Sequence, residues 1–170
     1  MFIFTLLKFI NILSVYYLIS VFVHIICAAI WIGGMLFLPL VLLPSIKNHP
    51  DRIALLYKTG VKFRFVGWIC LVILALTGFL NYYLRGLSLT WDYLAHSNYG
   101  KLLDLKLLLF IVMLTIGAVH DFYIGNKSID EMKNTATGNF RKLAQWSGRL
   151  NLLLALAIAF IGLMLSRGGF

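Results

Sequence analysis

The chain has 170 residues, of which 61% are hydrophobic, 15% aromatic and 12% charged, and its mean hydropathy is +0.92. A soluble domain carries about 25% charged residues, so this composition excludes a soluble globular protein. It also excludes a disordered chain, which requires low hydrophobicity and high charge. We therefore expect an all-α integral membrane protein, with residues 1–170 in a single membrane domain.

Four apolar segments have the length of a membrane crossing, since a helix needs about 20 apolar residues to cross the hydrocarbon core. The sequence predicts a bundle of four transmembrane helices with spans at residues 15–43, 64–84, 103–124 and 148–166. Pro44 ends the first span, because proline cannot continue the hydrogen-bond ladder of a helix. Residues 1–12 are either an interfacial lead-in or an extension of the first helix, and we find no signal-peptide cleavage site after them.

The distribution of positive charge predicts the topology. The chain carries 15 Lys and Arg against 6 Asp and Glu, a formal net charge of +9. The connections at residues 45–63 and 125–147 carry eight of these basic residues, whereas residues 85–102 and the chain ends carry four. Because cytoplasmic loops retain Lys and Arg, we expect both basic connections in the cytoplasm and both the N- and C-termini outside.

Polar and ionisable side chains inside a span are costly and mark functional sites. In the expected topology His24 and Lys106 belong to the outer half of the membrane, where they can face each other. His120, Arg64 and Arg149 belong to the inner half, where they form a polar interior near the cytoplasm. Hydrogen bonding between helices and anchoring at the headgroups are the alternative roles of these residues.

One helix face carries a candidate metal site. His24 and Cys27 are three residues apart, which puts an imidazole and a thiol on the same face of a helix. Soft and borderline ligands of this kind suit Cu(I). Met113 and Met35 are candidates for additional thioether ligands. The alternative is that these methionines, Cys27 and Cys70 only fill the core as apolar residues.

A heme b group is the other cofactor that the polar residues allow. Two histidines that bind one heme iron must lie at the same depth, and His24 and His120 differ in depth by about 14 Å or more. These two histidines therefore cannot share an iron. A heme site would use His24 alone, or His24 with Lys106 as the opposing ligand.

The sequence contains no hydrolase triad, phosphate-binding loop, CxxC pair or HExxH signature. Its motifs therefore leave open whether the protein is an enzyme. A further alternative is a non-catalytic scaffold or assembly subunit, in which the polar residues only hold the helices together.

Residues 23–42 carry a histidine and a Trp-x-Gly-Gly element, residues 62–84 an arginine and a Thr-Gly pair, and residues 99–120 a Gly-Lys-Leu-Leu-x-x-Lys element. In this order the three segments resemble the membrane domain of CopD-type copper resistance proteins. In that family a histidine precedes a Trp-x-Gly-Gly element, an arginine opens the next helix, a Thr/Ser-Gly pair lies near its end, and a Gly-Lys/Arg-Leu-Leu-x-x-Lys element opens the third helix. The corresponding residues here are, in chain order, His24, Trp31, Gly33, Gly34, Arg64, Thr77, Gly78, Gly100, Lys101, Leu102, Leu103 and Lys106.

This resemblance implies a protein of the bacterial inner membrane that binds or transports copper near the outer face of the bilayer. His24 would be the principal ligand, with Cys27 or Met113 as helpers, while Lys106 and Arg64 would line the polar interior or set its charge. The partners expected are the lipid bilayer, the copper ion and a second copy of the chain, because glycines allow close packing of helices. Nucleic acid is not expected.

The chain is also similar to the HemJ-type protoporphyrinogen oxidases, in which one helix carries His-x6-Trp and the third carries a lysine. That resemblance implies that His24 and Lys106 bind heme b in an oxidoreductase that oxidises a porphyrinogen or passes electrons to quinone. HemJ proteins have a Leu-Pro-Arg element where this chain reads WIGGMLFLPL, with Leu40 in place of the arginine. This difference favours the CopD family.

Overall fold

The fold is helical throughout the part of the chain that the structure describes. A computed structural model describes the backbone of residues 2–88, 90–133 and 139–168, and the side chains of residues 12–88, 90, 92–131 and 139–168. These residues contain no strand, and 91% of them are helical. The predicted all-α class is therefore confirmed.

Four helical segments of the described chain are long and apolar enough to cross a membrane, in agreement with the predicted number of spans. They are Ile12–Ser45, Arg52–Leu84, Asn98–Glu131 and Asn139–Ser166. Their outward faces are apolar: Phe65 is 70% exposed and Phe79 is 65% exposed. A soluble protein rarely exposes such large apolar surfaces, so a lipid bilayer covers these helices.

Two of the four segments consist of more than one helical element, and one short helix lies between the second and third segments. In chain order the elements are α1 (Phe2–Phe37), a π-helical turn (Leu38–Leu42), α2 (Leu43–Ser45), α3 (Arg52–Leu84), α4 (Trp91–His96), α5 (Asn98–Val119), a second π-helical turn (His120–Ile124), α6 (Gly125–Lys133) and α7 (Asn139–Ser166). The first segment ends at Ser45, with Pro44 inside α2, whereas the sequence predicts an end at residue 43.

The helices are longer than the predicted spans. α1 has 36 residues and α3 has 33, so each is about 50 Å long, which exceeds the thickness of the hydrocarbon core. Residues 52–63 and 139–147, predicted as parts of loops, are helical. Hydropathy marks only the part of a helix inside the bilayer, whereas Lys and Arg are good helix formers and continue it beyond. The backbone of residues 2–11 likewise extends α1.

The chain divides into two compact units. The first unit contains Met1–Trp31 and Phe65–Leu89, and the second contains Ile32–Arg64 and Thr90–Phe170. The prediction that residues 1–170 form a single membrane domain stays a prediction.

In the first unit α1 and α3 pack antiparallel. Arg85 donates a hydrogen bond from Nε to the Tyr17 hydroxyl at 2.8 Å. Nearer the other end, the ring of Trp31 lies directly on Gly67, and a β-carbon on Gly67 would come within 2.8 Å of the Trp31 Cε3 atom. Trp31 is only 5% exposed, so its ring is buried at this contact.

In the second unit α5 and α7 pack antiparallel in one constant register. The Lys106 amine lies 3.4 Å from the position that a β-carbon on Gly162 would occupy. The Asn151 side-chain nitrogen lies 3.3 Å from the position that a β-carbon on Gly117 would occupy. Between these two contacts lies Met113, which is 3% exposed. A small residue on one helix thus faces a larger side chain on the other.

The two neighbouring glycines of the Trp-x-Gly-Gly element have different surroundings, which predicts different effects of substitution. A β-carbon on Gly34 would come within 2.8 Å of the Phe63 ring, whereas none of the described atoms lies within 4 Å of a β-carbon on Gly33. We expect Gly34→Ala to lower the free energy of unfolding by about 1–2 kcal/mol, because the ring must move. We expect Gly33→Ala to be neutral or slightly stabilising, because Ala favours helix.

Thermal unfolding of the two variants in detergent micelles measures this difference. Equal melting temperatures for Gly33→Ala and Gly34→Ala would contradict the close packing of Gly34 on Phe63.

Candidate functional site

His24 on α1 forms a hydrogen bond with Thr77 on α3 inside the first unit. The His24 Nδ1 atom lies 2.8 Å from the Thr77 Oγ1 atom. The Thr77 hydroxyl donates its hydrogen to the carbonyl oxygen of Ile73, one turn earlier on α3, at 2.6 Å. A hydroxyl has only one hydrogen to donate, so Thr77 accepts the second bond, and His24 Nδ1 is the donor.

This network assigns the tautomer of the His24 imidazole. With the hydrogen on Nδ1, the Nε2 atom carries the lone pair that can bind a metal ion. Metal-binding histidines in proteins use the same arrangement, in which the second ring nitrogen donates to a fixed acceptor. The hydrogen bond to Thr77 therefore orients the His24 imidazole, and its role as a metal ligand stays a prediction.

The Thr77-Gly78 pair also provides the surface on which the imidazole lies. The His24 Cε1 atom is 3.6 Å from the position that a β-carbon on Gly78 would occupy, an ordinary van der Waals distance. A threonine in a membrane helix can satisfy its hydroxyl on the carbonyl four residues earlier. Position 77 therefore holds an acceptor for histidine without leaving a hydroxyl unsatisfied in the bilayer.

Cys27 and Cys70 meet on the same pair of helices. Both are free cysteines, and they are 6% and 4% exposed. The Cys70 thiol lies close enough to the Cys27 thiol for the two to interact electrostatically. From the sequence Cys70 is interpreted only as an apolar core residue, because nothing in the sequence shows which residue of α3 faces Cys27.

No group of three or more His, Cys, Asp or Glu side chains within the described ranges could together hold a metal ion. His24 and Cys27 lie one turn apart on α1, as predicted from their spacing. Met113 and Lys106 belong to the second unit. A ligand set that joins His24 to Met113 or to Lys106 therefore stays a prediction.

His120 in the second unit, like His24 in the first, forms a hydrogen bond with a hydroxyl group of a neighbouring helix. Its Nδ1 atom lies 2.8 Å from the Ser147 hydroxyl of α7. Ser147 donates to the carbonyl oxygen of Leu143 at 2.8 Å, so it accepts the bond from His120. His120 also begins the second π-helical turn, a local geometry that is frequent at functional sites.

Arg64 lies near His120 and interacts with it electrostatically. The Arg64 Nη2 atom donates to the Asn126 side-chain oxygen at 3.3 Å, and its guanidinium carbon lies 5.5 Å from the centre of the Phe122 ring. Arg64 and the His120 carbonyl oxygen both lie near Gly125, and a polar interior formed by Arg64 and His120 stays a prediction.

Arg149, the third residue of the predicted polar interior, is exposed. Its guanidinium carbon lies 5.7 Å from the centre of the Trp146 ring. An arginine beside an exposed tryptophan is typical of a residue that anchors a helix at the membrane interface. A role for Arg149 inside the bundle stays a prediction.

Asn151 is a buried polar residue that the sequence analysis did not single out. It is 6% exposed, and its side-chain oxygen has no hydrogen-bond partner among the described residues. It faces Gly117 across the pair formed by α5 and α7. The sequence could have indicated Asn151, because it lies inside the predicted span 148–166 and polar residues inside a span are uncommon.

A family model for copper resistance protein D, CopD, matches residues 58–165, which is more than half of the chain. The chain belongs to the CopD family. The matched region begins in α3 and extends through α7, so it contains Cys70, Thr77 and His120. The resemblance derived from the sequence motifs is thus confirmed.

Two relatives extend the comparison. An uncharacterized protein of Aquifex aeolicus is 32% identical over 149 residues, which cover 86% of this chain and 93% of the relative. Copper transport protein CutJ of Bacillus subtilis is 32% identical over 138 residues, which cover 81% of this chain but only 24% of CutJ. No solved structure matches the chain. The family and the name of the second relative indicate a copper-related membrane protein.

Proposed function

We propose that this CopD-family protein binds Cu(I) inside the membrane through the Nε2 atom of His24 and transports it near the outer face of the bilayer. The observation that carries the proposal is the hydrogen bond between His24 Nδ1 and Thr77, which orients the imidazole. Cys27, one turn further along α1, supplies a soft second ligand.

The transport step is an exchange of ligands. A Cu(I) ion that is held by few soft ligands can leave one ligand for the next when both lie on the same helix face. The His24 and Cys27 positions differ by about 4.5 Å along the axis of α1, which is short enough for such an exchange. The name of CutJ, a copper transport protein, is consistent with this function.

Replacement of His24 tests the proposal. We expect His24→Ala to weaken Cu(I) binding by about tenfold or more, because the oriented imidazole is lost. The dissociation constant is measured without oxygen, by competition between the detergent-purified protein and a coloured Cu(I) chelator.

His96→Ala is the matched control, because His96 is an exposed histidine that contacts Asp92 on its own helix. The control should bind Cu(I) as the wild-type protein does. An unchanged dissociation constant in His24→Ala, or a wild-type protein that binds no Cu(I), would refute the proposal. If His24→Ala lowered only the melting temperature, the scaffold function would be the better account.

Heme b binding by His24 and Lys106 is the second function that the sequence allowed. The family match and the name CutJ both refer to copper rather than to heme. An absorption spectrum of the purified protein tests it directly, because a bound heme gives a Soret band and Cu(I) does not.

We infer that the basic connections face the cytoplasm and that both termini lie outside, in the inner membrane of a bacterium. The inference rests on the eight Lys and Arg of the two basic connections. In this orientation His24 is nearer to the outer face than to the cytoplasm. Association of two chains through their glycine-containing helices is part of the same proposal.

A further inference from the structure

The two thiols of the chain face each other inside the first unit. The chain contains only two cysteines, and they lie on different helices, Cys27 on α1 and Cys70 on α3. Their thiols are close enough to interact electrostatically, and both residues are at most 6% exposed. The pair lies between the contact of His24 with Thr77 and the contact of Trp31 with Gly67.

Packing alone accounts for one buried cysteine, because free cysteine behaves as a small apolar residue. It does not account for the meeting of both cysteines of the chain across a helix pair. Two sulfur atoms that converge from neighbouring helices are a donor set for a soft metal ion. They need no third ligand, because Cu(I), unlike zinc in a structural site, does not need four tetrahedral ligands.

We propose that Cys27 and Cys70 together bind one Cu(I) ion as two thiolates. This inference rests on the proposed function, and it adds a second copper position that is distinct from His24. The ion would move from the His24 imidazole to the thiolate pair, which lies about 4.5 Å further along the axis of α1. The first unit would then hold two positions in series on one helix pair.

The charge balance of this site is simple. Each thiol loses its proton when it becomes a ligand, so one Cu(I) ion displaces two protons. The occupied site has one net negative charge, which is costly inside the bilayer. This cost weakens the binding and keeps the ion exchangeable, as a position on a transport path requires.

The donor set also predicts which ions bind. Thiolates select Cu(I) over hard ions such as Mg²⁺ and Ca²⁺, which prefer oxygen ligands. Zn²⁺ binds thiolates too, but it favours four ligands, and the pair supplies two. We therefore expect the site to prefer Cu(I) to Zn²⁺.

X-ray absorption at the copper edge tests the proposal on the wild-type protein. The full chain is purified in detergent, kept reduced and loaded with one equivalent of Cu(I). We expect a spectrum with two sulfur neighbours of copper. A spectrum of bound copper with a nitrogen neighbour and at most one sulfur neighbour would overturn the inference, and it would leave the proposed site of His24 and Cys27 intact.

Variants give a second, independent readout. We expect Cys27→Ser and Cys70→Ser each to remove one sulfur neighbour and to weaken Cu(I) binding at least tenfold. Ser20→Ala, which changes another small buried residue of α1, is the control and should bind as the wild type does. Wild-type affinity in Cys70→Ser would overturn the inference alone. A wild-type protein that binds no Cu(I) would overturn both this inference and the proposed function.

Discussion

Thr77→Val is expected to lower the affinity for Cu(I) by about 10- to 100-fold while the protein remains folded. The substitution keeps the shape of the side chain but removes the oxygen that accepts the hydrogen bond from His24 Nδ1. The imidazole then loses both its orientation and the interaction that holds the hydrogen on Nδ1. Competition with a coloured Cu(I) chelator measures the change.

Thr115→Val is the matched control for this substitution. The Thr115 hydroxyl donates to the carbonyl oxygen of Ile111 at 2.9 Å, as Thr77 donates to Ile73, but Thr115 is exposed. We expect Thr115→Val to bind Cu(I) normally and Thr77→Ser to bind nearly as well as the wild type. Wild-type binding by Thr77→Val would show that the hydrogen bond does not prepare His24 for copper.

Gly100→Ala is expected to lower the free energy of unfolding by about 3 kcal/mol, near the upper end of the usual cost of overpacking. Gly100 lies in the first turn of α5, directly against the backbone of α4. A β-carbon there would come within 2.6 Å of the Leu94 Cα atom and of the Tyr93 carbonyl oxygen. Backbone atoms cannot rotate away as a side chain can, so α4 or α5 must shift.

The shift would also disturb the start of α5. The Ser97 hydroxyl accepts a hydrogen bond from the Gly100 backbone nitrogen at 2.9 Å and caps the helix. Thermal unfolding in detergent measures the effect, with Gly60→Ala as the control, since none of the described atoms lies within 4 Å of a β-carbon on Gly60. Equal stability of the two variants would contradict the close approach of α4 to α5.

The helical class and the four spans could be predicted from the sequence because both depend on composition along the chain. Apolar residues in runs of about 20 can satisfy the backbone in a bilayer only as helices. The CopD resemblance was also visible, because its motifs keep their order and spacing along the chain, and those from Arg64 to Lys106 lie within the region that the family model matches.

The partners of the polar residues could not be predicted. Hydropathy is nearly uniform around a membrane helix, so it does not show how far each helix is rotated or which residues of two helices meet. Thr77 was identified only as part of a motif, and Ser147 was not identified at all, yet each binds a histidine. Cys70 was interpreted as packing for the same reason, although it meets Cys27.

Hydropathy also did not predict where the helices begin and end. Residues 52–63 contain several charged residues and were predicted as a loop, but charge is compatible with helix outside the hydrocarbon core. α3 therefore begins at Arg52 rather than at Arg64. The basic residues of 52–63 therefore lie on α3 itself and not in a separate loop.

The most direct test of the central claim is the nitrogen NMR spectrum of protein with labelled histidines, recorded before and after one equivalent of Cu(I). The chain has four histidines, and substitution of each one assigns its signal. The account predicts that the His24 imidazole carries its hydrogen on Nδ1 without copper and that its Nε2 signal shifts when copper binds. Binding of Cu(I) with no change in the His24 signals would contradict it.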